Sequence, residues 1–297
     1  MQLPEYNECR LCARSCGVNR NAGALGACGM GAEPVLARAA LHMWEEPPIS
    51  GTRGSGTVFF SGCSLGCLYC QNVDISRAAY GKTVSIDRLA EIMLELEEQG
   101  AHNINFVTPT HYAPTLTAAT RIARERGLTL PIVYNTASYD TADTVASLDG
   151  TVDIYLADYK YNLSRTAAAY SRADDYPEVA RAAIAEMVRQ RGRVVIEDGI
   201  MRSGVIVRVL LLPGHVAEAK LCVKYLYETY GDGIYISLMS QYTPMPGMPS
   251  PLDRRVTAAE YEELVDYAIK KGVKNAFIQD GASARESFIP PFDTTGV

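Results

Sequence analysis

Thr57-Val-Phe-Phe-Ser61-Gly-Cys63-Ser-Leu-Gly-Cys67-Leu-Tyr-Cys70-Gln-Asn72 is the stretch on which the reading of this chain turns. Thr57 to Ser61 has the pattern of a short buried strand, and three cysteines follow on the loop directly after it. Their spacing, three residues and then two, lets three thiolates ligate three irons of a cubane and leaves the fourth iron open. Thiolate is the soft donor that iron–sulfur clusters require. A tight loop with coincident cysteines is the plainer alternative, but a buried structural Cys is usually solitary.

Outward from this loop the chain alternates between strands and helices. Ile86 to Gln99 places Leu89, Ile92, Met93 and Leu96 on one helical face, and Gly100 stops it. Ile104–Val107 then reads as a strand and 115–126 as a helix, Ile132–Tyr134 as a strand and 141–148 as a short helix. Val152–Ala157 with 177–190, Gly204–Leu212 with 216–229, and Ile234–Met239 with 257–271 complete the series. The last helix opens on Thr257 with Glu260 three residues on, the spacing of a capping box. Six strand–helix units predict an α/β fold with a parallel sheet. Too few units are present for a closed eight-fold barrel, so an open or partial barrel is expected. Reactive groups in such folds sit at the C-terminal ends of the strands.

Three segments follow. Residues 1–50 are cysteine-rich and end in Glu-Glu-Pro-Pro and a Gly-rich stretch; 51–256 are the barrel core; 257–297 are a C-terminal helix and tail. The composition, 47% hydrophobic and 21% charged over 297 residues, excludes a disordered or fibrous chain. A net charge of -6 with no basic stripe argues against nucleic acid as a partner. The start lacks a signal-peptide pattern and the longest apolar runs are too short for a bilayer, so a cytoplasmic chain with no membrane partner is expected. In a reducing compartment, clustered cysteines read as metal or cluster ligands rather than disulfides.

A second cysteine set, Cys9, Cys12, Cys16 and Cys28, can make a closed four-thiolate site for zinc or for another iron–sulfur cluster. Cys222, mid-helix beside Leu221 and Val223, reads as a packing residue. Two charges stand out at the strand ends. Lys160 suits a carboxylate partner. Arg208 interrupts an apolar strand and must point to the pocket or to a buried partner.

The motif Cys63-x3-Cys67-x2-Cys70, with Tyr69 before the last Cys, resembles that of the radical S-adenosylmethionine (radical SAM) superfamily. More narrowly, the chain resembles proteins related to the activating enzyme of pyruvate formate-lyase. This likeness rests on Cys9-Arg-Leu-Cys12-Ala-Arg-Ser-Cys16-Gly-Val-Asn-Arg20, Cys70-Gln-Asn72 and Val107-Thr-Pro-Thr-His-Tyr112. It continues through Ala157-Asp-Tyr-Lys160, Leu212-Pro-Gly214 and Ser240-Gln-Tyr-Thr-Pro244.

The resemblance implies a partial (β/α)6 barrel and a 4Fe-4S cluster whose open iron is chelated by the methionyl amine and carboxylate of SAM. It further implies reductive cleavage of SAM to a 5′-deoxyadenosyl radical that abstracts hydrogen from substrate. An electron donor such as flavodoxin or ferredoxin would be needed, and a glycyl radical enzyme is the implied protein substrate. Thr108-Pro-Thr-His111 stands where activating enzymes carry Gly-Gly-Glu-Pro against the SAM amino group. Asn135-Thr-Ala-Ser138 is similar to their Asp-Thr-Asn-Gly, and Asp158-Tyr-Lys160 matches their Asp-x-Lys, near the SAM carboxylate and a monovalent cation. The SAM-binding set so implied is Tyr69, Thr108, Thr110, His111, Asn135, Thr136, Asp158, Lys160, Arg208 and Gln241. A small-molecule or peptide substrate is the rival within the enzyme class. A non-catalytic iron–sulfur or zinc-binding protein is the rival outside it.

Overall fold

A computed structural model describes residues 2–78, 80–279 and 289–297 of the chain. Its elements in chain order begin with β1 (Val35–His42), α1 (Pro47–Ser50), β2 (Ser55–Phe60), α2 (Val73–Ala78), β3 (Lys82–Thr83) and α3 (Ile86–Glu98). There follow β4 (Ile104–Val107), α4 (Ala113–Glu125), β5 (Ile132–Thr136), α5 (Ala142–Ala146), β6 (Ile154–Asp158), α6 (Ser164–Ser171) and α7 (Tyr176–Arg191). The chain closes with β7 (Val195–Glu197), β8 (Ile200–Leu210), α8 (Val216–Tyr230), β9 (Tyr235–Met239), α9 (Ala258–Lys271) and β10 (Ala276–Ile278).

One sheet runs in the order β10-β9-β8-β6-β5-β4-β2-β1-β3, with β7 paired to β8 at the side. From β2 to β10 every neighbouring pair on this path is parallel. The path does not close on itself among the described residues, as a partial barrel requires. β2, β4 and β5 are buried along their whole length, so they lack the regular polar–apolar alternation of a half-exposed strand.

The helices form where side chains satisfy their ends and one face is apolar. Ser85 accepts from the Arg88 amide at the start of α3, which buries Leu89, Ile92, Met93 and Leu96. The capping box of α9 is present in both directions, Thr257 accepting from the Glu260 amide and Glu260 from the Thr257 amide. Cys222 is buried on α8. Among the described residues no helix is long and apolar enough to cross a membrane.

Several elements were not expected, among them β1, α6 and β7. β1 arises inside the cysteine-rich segment and pairs antiparallel with β2 over Leu36 to His42. Its Ala-rich sequence carries little strand propensity, so pairing with β2 rather than local preference makes it a strand. The C-terminal tail runs along it, with Ala39 N donating to Thr295 O at 2.9 Å and Thr294 N to Ala37 O at 3.0 Å. α6 occupies the β6–α7 connection, and β8 begins earlier than expected because β7 pairs with its first half.

Candidate active site

A cavity of about 250 Å³ opens at the C-terminal ends of the parallel strands, and Cys63, Cys67 and Cys70 all line it. Their loop is fixed by backbone rather than by its own side chains. Gly62 N donates to Ile75 O at 2.9 Å, Leu68 N to Tyr170 O at 2.7 Å, and Arg77 to the carbonyls of Gly66 and Cys67 at 2.8 and 2.9 Å. Two hydroxyls address the sulfurs: Ser171 Oγ lies 3.2 Å from Cys67 Sγ, and Ser76 Oγ 3.4 Å from Cys70 Sγ. Burial, reinforced by the neighbouring Cys70 and Cys67, pushes the Cys63 thiol up to about 12, and burial also raises Cys67. Buried thiols such as Cys63 and Cys67 ionise readily only against positive charge, which a bound metal would supply.

The donor set therefore fits a cubane, with the sulfurs convergent, soft and already hydrogen-bonded. Among the described residues, no three His, Cys, Asp or Glu side chains close on one point as ligands of a single ion.

The opposite wall is polar. Arg208 Nε donates to Asp158 Oδ1 at 2.7 Å, Arg208 Nη2 to Asn135 Oδ1 at 2.5 Å, and Lys160 Nζ to Asp158 Oδ2 at 2.7 Å. Burial alone would raise Asp158, but Arg208 and Lys160 outweigh it and hold the carboxyl below its ordinary value. Burial would likewise lower Lys160, and Asp158 more than reverses it, so the ammonium stays protonated. Both oxygens of Asp158 are thus engaged by cationic side chains.

Of the predicted SAM-binding set, Tyr69, Thr108, Asn135, Thr136, Asp158, Lys160, Arg208 and Gln241 line the same cavity as the three cysteines. Tyr69 is wedged by the edges of Tyr161, Tyr170 and Tyr242. Thr136 Oγ1 donates to Asp140 Oδ2 at 2.6 Å, and the Gln241 carbonyl accepts from Gln71 Nε2 at 2.9 Å. Thr108 holds φ at 57°, a conformation costly for a β-branched residue and characteristic of functional sites.

Thr110 and His111 correct the expectation. They lie behind the cavity wall, because the turn at Thr108 leads into a short 3-10 turn over Thr110–Tyr112 whose side chains point inward. Thr110 Oγ1 meets Thr136 Oγ1 at 3.3 Å. His111 Nε2 sits 2.8 Å from Ser61 O, and burial, aided by Arg20, lowers its pKa to about 3. His111 is a neutral structural bridge between strand ends.

Glu45 was missed, as were other cavity residues such as His42 and Trp44. Glu45, read as part of a Pro-containing boundary, turns into the cavity. Its Oε1 accepts from Asn105 Nδ2 at 2.9 Å and Asn135 Nδ2 at 3.1 Å, and its Oε2 lies 3.4 Å from Arg208 Nη1. Burial raises Glu45 above the ordinary carboxylate range although Arg208 opposes it. The one available signal was Asn105, a polar residue in the otherwise apolar Ile104–Val107 strand, which needs a buried partner.

Comparison with known proteins agrees with this geometry. Residues 57–201 match the radical SAM superfamily model. The uncharacterized protein MJ0674 of Methanocaldococcus jannaschii is 27% identical over 279 residues, covering 89% of this chain and 75% of its own. Streptococcus suis SuiB, in a crystal structure with bound S-adenosylmethionine, aligns over 74% of this chain at 12% identity, with a TM-score of 0.50. Methylornithine synthase aligns over 79% at 14% identity, with a TM-score of 0.48. The chain spans 48% and 64% of those two structures' lengths, respectively. Residues 57–201, with the three-cysteine loop at their start, are thus similar to the radical SAM superfamily and lie within an open α/β partial barrel.

Proposed function

We propose that this chain is a radical SAM enzyme in which Cys63, Cys67 and Cys70 hold a 4Fe-4S cluster and the facing wall binds SAM. The observation that carries this reading is the placement of three loop thiols and the Asp158–Lys160–Arg208 group around one cavity. Once bound and reduced by an external one-electron donor of the flavodoxin or ferredoxin type, cluster and SAM together supply a 5′-deoxyadenosyl radical able to take hydrogen from a substrate.

The chain's own residues do the rest. Lys160 Nζ keeps its proton and presents a cation to a carboxylate. Asp158 and Glu45 hold Arg208 in place while its guanidinium offers a planar donor edge. Leu65, Val107, Leu210 and Met239 give the cavity an apolar lining that excludes water from the reacting atoms.

The finer reading is that the hydrogen comes from a glycine of a glycyl radical enzyme, and it is supported by the stretches that resemble proteins related to the activating enzyme of pyruvate formate-lyase. Anaerobically reconstituted protein tests the cofactor reading: SAM should change the electron paramagnetic resonance spectrum of the reduced cluster, and an unchanged spectrum overturns it. Deuterium at the glycine Cα of a candidate partner should appear in 5′-deoxyadenosine. Label-free product would redirect the search to small molecules or peptides.

A further inference from the structure

Cys9, Cys12, Cys16 and Cys28 are far apart in sequence relative to the three-cysteine loop, yet the fold gathers them against it. Cys9 N donates to Val18 O and Gly17 N to Cys9 O, both at 3.0 Å, so the chain doubles back and sets Cys16 Sγ 3.9 Å from Cys9 O. Gly26 N donates to Met30 O at 3.1 Å in a second turn that carries Cys28. A Cβ on Gly26 would meet Cys28 Sγ at 3.2 Å and Cys16 Sγ at 3.7 Å, so both sulfurs face one point that only glycine leaves open. Cys9, Cys12 and Cys28 are buried, and Cys16 is half-buried at the rim.

Beside them lies a charge with no carboxylate to answer it. Arg20 is 2% exposed. Its guanidinium donates to Gly31 O and His111 O, reaches Cys9 Sγ at 3.8 Å, and is sandwiched by the rings of Tyr6 at 4.3 Å and Tyr112 at 5.2 Å. Among the described residues no Asp or Glu comes within ion-pair distance of it. A buried guanidinium left without negative charge is strongly unfavourable. Carbonyl dipoles and ring faces offset part of its charge, and metal-bound thiolates, which carry net negative charge and are adjacent, would supply the rest.

We propose that Cys9, Cys12, Cys16 and Cys28 hold a second iron–sulfur cluster and that Arg20 is its built-in counter-ion. The two turns bring these thiols together beside Arg20 and against the loop that carries Cys63, Cys67 and Cys70, where a second cluster could exchange electrons with the first. The site also shares a wall with the first. Arg14, between Cys12 and Cys16, donates to Ser64 O at 3.0 Å and Leu65 O at 3.3 Å, inside the Cys63–Cys67 loop. A Cβ on Gly62 would meet Cys28 O at 2.8 Å. The second centre therefore rests on the backbone that precedes the first.

This inference does not depend on SAM chemistry, and its test is built to keep the two apart. The full chain with Cys63, Cys67 and Cys70 all replaced by Ala retains only the proposed second site. After anaerobic reconstitution with iron and sulfide, it should hold iron and acid-labile sulfide in equal amounts. Zinc without sulfide, or no metal, overturns the proposal. Adding Cys28→Ser to that variant should remove the remaining iron, and unchanged iron would overturn the ligand assignment. Arg20→Met in the same background should move the cluster's reduction potential to more negative values, because a cation that favours the extra electron is gone, and Arg20→Lys should restore most of it. An unmoved potential in folded Arg20→Met protein overturns the counter-ion role.

Discussion

Asp158 on β6 and Arg208 on β8 are register partners in adjacent parallel strands, and Arg208 Nε donates to Asp158 Oδ1 at 2.7 Å. Strand pairing alone brings these two residues side by side, so the sheet itself builds the charged wall of the cavity. Glu45, Asn135 and Lys160 then close the network around them.

Removing the guanidinium leaves Glu45 without a cation and Asp158 with Lys160 alone. Arg208→Met should therefore destabilise the chain by roughly 3–5 kcal/mol, the cost of breaking a buried ion pair. Arg208→Lys should cost less. Urea unfolding of the purified variants measures both, and a change within about 0.5 kcal/mol for Arg208→Met would contradict the network.

Glu45 carries the opposite sign from an ordinary salt-bridged acid. Its folded pKa is raised above 4.5 by burial, so over the range from 4.5 upward the folded chain holds a proton that the unfolded chain has lost. Stability from this group accordingly falls as pH rises. Glu45→Gln cannot take up that proton. The stability of wild type relative to Glu45→Gln should be greater at pH 5 than at pH 7.5, measured by denaturation at each pH. The reverse trend would show that Glu45 is held ionised.

His111 works the other way. Its pKa falls from 6.5 to about 3 on folding, so below 6.5 the unfolded chain gains a proton that the folded chain refuses. Wild type should lose about 2 kcal/mol from this group between pH 7 and pH 5. The His111→Gln variant should lack that component, and parallel stability curves for the two proteins would contradict the buried, neutral assignment.

Two glycines of the cysteine loop separate strain from crowding. Gly62 has φ 84° and an added Cβ would meet Met30 Cγ at 2.3 Å, whereas Gly66 has φ 64° with nothing within 4 Å. Gly66→Ala should cost only the left-handed backbone term, about 1 kcal/mol. Gly62→Ala should cost that plus overpacking, about 2–4 kcal/mol in total. Equal unfolding midpoints would refute the close approach of the cysteine-rich segment.

The parallel strands were legible because short apolar stretches such as Val58-Phe-Phe60 and Val205-Ile-Val207 recur between helices that have one apolar face. β1 was not legible, since Leu36-Ala-Arg-Ala-Ala40 has no strand signal until β2 lies beside it. Arg208 announced itself, because a charge within an apolar strand demands a partner. Glu45 did not, because its partners come from β4, β5 and β8, a convergence no local pattern records. Thr110 and His111 were misplaced for a conformational reason: the positive φ of Thr108 redirects the chain after β4, and side-chain direction past such a turn is not readable from spacing.

The central claim is that the cavity at the strand ends uses three thiols to cleave SAM. It is tested by anaerobic reconstitution of wild type and of Cys67→Ala, followed by dithionite and SAM and by quantifying 5′-deoxyadenosine. The account predicts product from wild type and none from Cys67→Ala. Wild-type protein that carries its cluster yet forms no 5′-deoxyadenosine, or a Cys67→Ala variant that forms as much as wild type, would contradict it.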